Sequence, residues 1–518
     1  MPLETPVHVV NELASRGYNA DREAVTLLAN APDPDAAVDR AIDAAPADAH
    51  KLGVDHVRAV LDDERSSQAD ESPTDGDVAT AAPPTSDSTG TSLVETPATA
   101  TDTPDETRGS AGGGRSGQAA LDVRQDMTGE STGTGSYDDF VSVFRDRYER
   151  LSAMLRGRVN HRPTDAIERM SGGSDAALIG MVSDVRSTAN GHWLVELEDT
   201  TGTFPVLIMK DRSIADAVQE LLMDEVIAVE GTLADDSGIL FVDALHFPDV
   251  PRTHRPSTAD RHVQAALISD VHVGSQEFLA DAWNRFADWL HTDEAEAVEY
   301  LLIAGDMVEG VGVYPDQDEE LDIVDVYDQY ETFSEHLKAV PGDLEIVMIP
   351  GNHDAVRLAE PQPAFDAELR DIMSAHDSRF VSNPGLLDLE GVSVLMYHGV
   401  SLDEVIAEMP DESASYDAPE NAMAQLLRKR HVAPQFGGHT RLAPEDGDHL
   451  IIDEVPDVFH TGHVHKLGYG QYHDVLTINS GCWQAQTAFQ RSVNLEPDPG
   501  FAPIVDLDTL ELTVRKFT

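Results

Sequence analysis

Five short fragments of this 518-residue chain set polar, metal-ligating side chains directly after apolar runs. "VQAALISDVHVG" ends in Asp270 and His272, "YLLIAGDMVEG" in Asp306, and "LEIVMIPGNHDAVR" in Asn352, His353 and Asp354. "VSVLMYHGV" ends in His398, and "VPDVFHTGHVHKLGYG" in His463 and His465. Carboxylates, imidazoles and one amide oxygen, without thiolates, suit Mn²⁺, Fe²⁺ or Zn²⁺. Two such ions ~3.5–4 Å apart need a shared carboxylate, and Asp306 is the candidate bridge. Any one fragment is weak evidence, because a D-x-H tripeptide is common and a strand-end turn uses the same residues for hydrogen bonds. The ordered set DxH, GD, GNHD, H, GHxH is far more specific, and it is the strongest signal in the chain.

Residues this far apart in sequence meet only if the fold gathers strand ends. Helical stretches such as "EFLADAWNRFADWLHTD" separate the apolar strands, which implies α/β layers whose strand-end loops share one crevice. Upstream, "ALIGMVSDVRS", "HWLVELEDTTG", "TFPVLIMK", "VIAVEGTLAD" and "ILFVDALHF" alternate as strands, with the helical "SIADAVQELLM" after the third. That order suits a five-stranded OB-type β-barrel. Trp193, Phe204 and Phe241 either stack nucleobases there or fill the barrel core.

The segment "YDDFVSVFRDRYERLSAMLRGR" is amphipathic, with Phe140, Phe144, Tyr148 and Leu151 on one face. Its arginines, Arg145, Arg147, Arg150, Arg156 and Arg158, either touch nucleic acid or form a solvated face paired with neighbouring acids. The expected organisation is a small helical domain (1–62), a disordered acidic Ser/Thr/Gly/Pro-rich linker (63–136), an amphipathic helix and connection (137–172), the barrel (173–250), and the domain carrying the chemistry (251–518).

The formal net charge is −60, from 95 Asp and Glu against 35 Lys and Arg. Spread along most of the chain, this excess matches a halophilic surface, since at molar salt the Debye length is ~3 Å and self-repulsion is screened. Phosphate contacts through Lys and Arg weaken with salt, so a nucleic-acid substrate would have to be held largely by metals and a partner subunit. One cysteine, Cys482, excludes an internal disulfide and a cysteine-based zinc site, and an intracellular, reducing compartment is the default. The N-terminal "MPLETPVHVV" lacks the pattern of a signal peptide, and no stretch reaches membrane-spanning length.

The ordered fragments resemble the calcineurin-like metallophosphoesterases over approximately 263–518. The resemblance implies one divalent ion on Asp270, His272, Asp306 and His465, and a second that shares Asp306 and adds Asn352, His398 and His463. His353 is then the non-ligand imidazole at the scissile phosphate, oriented by Asp354. With the barrel upstream, "GNHDAVRLAEPQPAF", "GGHTRLAPEDGDHLIIDEVPDVFHTGHVH" and "INSGCWQAQTAFQ" are similar to the small-subunit family of archaeal family D DNA polymerases. That resemblance implies a Mn²⁺-type dimetal 3′–5′ proofreading exonuclease (Fe²⁺, Zn²⁺ or Mg²⁺ being the other candidates), a separate large polymerising subunit as partner, DNA 3′ ends as substrate, and a cytoplasmic, high-salt setting. Other replication factors would meet the N-terminal domain or linker.

The alternatives are a stand-alone phosphodiesterase and a non-catalytic scaffold of the polymerase. Arg357 either clamps phosphate or forms an ordinary ion pair. His439, His473 and Cys482 read as structural.

Overall fold

The computed structural model describes residues 120–518, apart from 131, 132, 237, 315, 316 and 439, together with parts of 9–60. His439 and residues 63–119 of the expected linker lie outside the described residues. The chain divides into two compact units, Met1–Gly114 and Arg115–Thr518.

In the first unit, helices Arg22–Ala29 and Pro34–Asp43 bury Val25, Leu28, Val38 and Ala41 together with Val9 and Leu13. Asn19–Ala20 and Lys51–Leu52 pair in parallel, a two-stranded element that helical periodicity does not announce.

The second unit is a mixed α/β assembly with a closed barrel. Its first six-stranded sheet runs in the order Arg379–Phe380, Glu345–Ile349, Val298–Ala304, Gln264–Ile268, Phe501–Asp506, Glu511–Lys516. The first four strands are mutually parallel. The second has the order Leu467–Tyr472, Val475–Ser480, Val458–Thr461, Val392–Met396, Gly385–Leu389, Leu121–Gln125. The sheets face each other through Leu267, Leu302, Val347 and Ile349 on one side and Leu387, Val394, Met396 and Ile478 on the other.

Alternate residues of the first sheet, Ile268, Leu301, Ile303 and Met348, point the other way, onto helices Ala280–Leu290 and Val326–Leu337. Helices Ser401–Glu408 and Pro419–Lys429 cover the outer face of the second sheet through Leu402, Val405, Met423 and Leu426. The parallel strands are therefore covered on both faces, which is why they read as continuous apolar runs. Each buried Leu, Ile or Val contributes about 1.5–3 kcal/mol of transfer free energy.

Leu121–Gln125 corrects the linker boundary of 136. The strand pairs antiparallel with Gly385–Leu389, and its burial alternates, with Leu121 and Val123 half-buried against the intersheet core. The polar composition around these five residues hides their period-2 pattern.

The barrel strands are Asp175–Ser187, Trp193–Asp199, Gly202–Ile208, Val226–Leu233 and Leu240–His246, and they close with the last between the third and fourth. A short helix, Ala215–Val218, links the third and fourth. Phe204 fills the barrel core, Trp193 packs partly buried against it, and Phe241 is 40% exposed. Of the three aromatics, Phe241 is the most open to solvent.

Helix Tyr137–Leu155 buries Val143, Arg147, Leu151 and Leu155, and Phe140 and Tyr148 of the expected face pack half-buried against the neighbouring cores. Arg147 is not on a solvated face. Its Nε donates to Asp448 at 2.6 Å, both side chains being buried, and its guanidinium also donates to the Pro434 carbonyl. Arg150 pairs with Asp146 at 2.8 Å and with Asp453, while Arg158 donates to the carbonyls of Phe247 and Pro248. A second buried pair, Lys429 with Glu225 at 3.2 Å, ties the barrel to helix Pro419–Lys429.

Candidate metal centre

The seven expected ligands converge. Each follows the C-terminal end of a parallel strand: Asp270 and His272 after Gln264–Ile268, Asp306 after Val298–Ala304, Asn352 after Glu345–Ile349, His398 after Val392–Met396, and His463 and His465 after Val458–Thr461. Asp270, His272 and His465 form one buried group of potential ligand atoms, and Asp306, His398 and His463 a second. Asp306 joins the two: its Oδ2 lies 3.8 Å from His272 Nε2 and 3.2 Å from His398 Nε2.

Close approach is possible because glycines sit where the loops touch. A Cβ on Gly351 would fall on the Asp306 carboxylate, and one on Gly305, at φ +93°, on the His398 ring. Asp270, His272, Asp306, His463 and His465 themselves have φ between 52° and 72°, the left-handed region that non-glycine residues rarely adopt. Such strain persists only where surrounding contacts over-determine it. Here the carboxylates also brace neighbouring loops: Asp270 accepts the His463 N–H at 2.9 Å and Asp306 the His353 N–H at 2.8 Å.

The donor set fits a cation. His398 Nδ1–H donates to the Ala304 carbonyl at 2.8 Å, so a neutral ring turns its Nε2 lone pair inward. That atom lies 2.9 Å from Asn352 Oδ1 and 3.2 Å from Asp306 Oδ2. Three electron-rich atoms this close need a proton or a metal ion among them. In the absence of metal, burial opposes charge on His398, but the Asp306 carboxylate outweighs it and lifts the pKa to about 10.

His353 and Asp354 diverge. His353 Nδ1 donates to the Glu309 carbonyl at 2.7 Å, leaving Nε2 open, and its ring packs edge-on against His272. Asp354 does not orient it. The Asp354 carboxylate points back into the fold, accepting from the Asp306 N–H (2.8 Å), the Gly351 N–H (2.9 Å) and the Tyr330 hydroxyl (2.9 Å). Burial, then the Asp306 charge, push its pKa up to about 7. Its position after His353 was legible, but the turn that aims it inward was not.

Arg357 is not one helical turn from His353, because the chain there is a series of bends. Its guanidinium bonds the carbonyls of Ala359 and Pro361 and pairs with Glu445 at 2.8 Å, an internal ion pair rather than a phosphate clamp. His473 stacks on Tyr472 with ring centroids 4.4 Å apart. Cys482 is fully buried, and burial pushes its thiol pKa up, away from nucleophilic use.

Residues 265–467, which span all seven expected ligands and end two residues past the last, match the family model for the B subunit of DNA polymerase alpha/epsilon. A DNA polymerase II small subunit from Halobacterium salinarum is 68% identical over 521 residues, covering 100% of both chains. The chain belongs to the DNA polymerase II small-subunit family of archaea. The Archaeoglobus fulgidus small subunit is 43% identical over 389 residues, covering 74% of this chain and 78% of its own. That of Methanothermobacter thermautotrophicus is 39% identical over 403 residues, covering 76% and 82%. A solved archaeal phosphodiesterase overlaps 49% of this chain and 99% of its own at 13% identity, with a TM-score of 0.26, too low to support an argument from shape.

The small subunit surrounds these candidate ligands with residues that motif reading passed over. Glu309 Oε2 lies 2.8 Å from His272 Nδ1, and despite burial the His272 charge holds the Glu309 pKa down at about 2. Asp403 lies 3.1 Å from His463 Nε2, and Gln490 Nε2 2.9 Å from His465 Nδ1. A carboxylate beside the second ring nitrogen, as Glu309 and Asp403 supply, favours the tautomer that turns the other nitrogen's lone pair inward. Glu309 had a signal, standing three residues after Asp306 in the same strand-end fragment. Asp403 and Gln490 lie on helices with no such mark. Among the described residues of the small subunit, no helix is long and apolar enough to cross a membrane.

Proposed function

We propose that this small subunit carries a dimetal 3′–5′ exonuclease that removes nucleotides from DNA 3′ ends and works alongside a large polymerising subunit in the cytoplasm. The observation that carries this reading is the convergence of His398 Nε2, Asn352 Oδ1 and Asp306 Oδ2 within 3.2 Å of the imidazole nitrogen, with Asp306 also facing His272. Asp270, His272, Asp306 and His465 would hold one divalent ion, and Asp306, Asn352, His398 and His463 the other, Mn²⁺ being the first candidate. When bound, the ions would offset the phosphodiester charge and make water a competent nucleophile near neutral pH.

The chain's own residues supply the rest. The Glu309 and Asp403 carboxylates lie beside the second ring nitrogens of His272 and His463, and the Gln490 amide beside that of His465. His353, its Nδ1 committed to the Glu309 carbonyl, presents Nε2 to the phosphate; the neutral ring accepts a proton there, and the protonated ring donates one to the departing 3′-oxygen. The barrel's strand order, with a helix between its third and fourth strands, supports an OB-type fold, and the two stacked sheets with outer helices support the calcineurin-like one.

The test uses a 3′-mismatched, 5′-labelled primer in molar KCl, with and without the large subunit. Wild type with Mn²⁺ should release 3′ nucleotides, and Asp306→Asn and His398→Ala should fall to about 1% of its rate or less. Wild-type rates in both variants would sink the proposal.

A further inference from the structure

We propose that Phe489 and Tyr314 form an aromatic ledge on which the terminal nucleobase of an unpaired 3′ end stacks, so that bases rather than phosphates supply much of the grip on DNA. The inference rests on the exonuclease reading above and names the substrate feature that the site would hold.

The two rings stack with centroids 6.1 Å apart and planes 28° apart. Tyr314 is also 6.3 Å, centroid to centroid, from His353, the imidazole that would face the scissile phosphate. Both sides of the ledge are anchored to the metal centre. The Tyr314 hydroxyl lies 3.1 Å from Glu309 Oε1, on the carboxylate beside His272. Phe489 belongs to the helix Ala488–Ser492, whose next residue, Gln490, holds His465.

Yet Phe489 is 58% exposed. An apolar ring at the rim of a polar site, packed on Tyr314 and still more than half exposed, offers surface for a further stacked ring.

Charge argues for a base as the occupant. On a chain of net charge −60 in strong salt, Lys and Arg contacts to phosphate release few counterions and contribute little. Stacking on an aromatic ring carries no such salt penalty and accepts every base. A base paired in a duplex has both faces covered by its neighbours, so the ledge admits frayed or mismatched ends.

The experiment compares single-stranded DNA ending in adenine with the same strand ending in an abasic residue, using the full chain and Mn²⁺ in molar KCl. Wild type should favour the adenine end in kcat/KM by about 10-fold. Phe489→Ala should lose that preference while cleaving the abasic end at the wild-type rate, and Phe489→Trp should restore it. Preference retained in Phe489→Ala would overturn the proposal. So would an equal loss on both ends, which would mark Phe489 as a support for Gln490 and His465.

A 3′-terminal 2-aminopurine supplies a readout without hydrolysis: its fluorescence should be quenched on wild type and not on Phe489→Ala. If wild type hydrolyses neither strand, the exonuclease reading fails, and the quench alone decides the ledge. Quenching by wild type alone supports it. No quenching, as expected if this face instead docks another protein, refutes it.

Discussion

The Nε2 atoms of His272 and His465 lie 3.0 Å apart inside the protein, on loops that leave different sheets. Asp270 Oδ1 is 3.9 Å from the first and 3.5 Å from the second. Two imidazoles and a carboxylate facing one point gain most from a shared cation. Added Mn²⁺ should therefore raise the melting temperature of the metal-free protein, by the equivalent of about 2.7 kcal/mol at a hundred times Kd. His465→Ala should abolish most of that shift in differential scanning fluorimetry, and an unchanged shift would contradict the assignment.

Asp354 and His353 should separate by readout. Asp354→Ala removes the acceptor for two backbone N–H groups and the Tyr330 hydroxyl, so it should cost about 1–3 kcal/mol of stability with or without metal. His353→Ala should leave urea stability and the Mn²⁺ shift intact while lowering kcat by about 10²-fold or more. Equal stability losses in the two variants would show that the loop does not depend on Asp354.

Arg357→Ala tests the internal ion pair. Glu445 is buried while Arg357 is partly exposed, and removing the guanidinium should cost about 1–3 kcal/mol. KM for DNA, measured at a temperature where the variant is folded, should not change. A rise in KM without loss of stability would restore the phosphate clamp.

His431 should make the fold sensitive to mild acid. Its Nδ1 accepts the Ala433 N–H at 3.0 Å and its Nε2–H donates to Asp448 at 2.9 Å, so the neutral ring is fully satisfied. A proton on Nδ1 would oppose the Ala433 N–H. Burial, then the Arg147 charge, lower its pKa to about 4 against 6.5 for the free group. Between those values the unfolded chain binds a proton that the folded chain does not. The stability is complete above about pH 6.5 and is lost as pH falls toward 4, by up to about 1.4 kcal/mol per pH unit. Chemical denaturation of wild type and His431→Gln across this range should show the slope shrinking in the variant.

The sequence by itself determined the types of the candidate ligands, their order and their placement at strand ends, because a parallel strand covered on both faces must be apolar throughout and a polar residue can appear only where it stops. The alternation of Ile268, Leu301, Ile303 and Met348 with Leu267, Leu302 and Val347 follows from the same two-residue period. Direction was another matter. Asp354 and His353 are adjacent, yet one faces the fold and the other the site, a choice made by the backbone of the Gly351 turn and by Asp306 and Tyr330 arriving from distant segments. Arg147 and Arg357 read as surface charge until Asp448 and Glu445, hundreds and tens of residues away, closed over them. Glu309, Asp403 and Gln490 acquired their roles the same way. Only the tertiary structure decided these, because a buried polar group is defined by which partner reaches it, and partners that meet through folding leave no spacing in the chain.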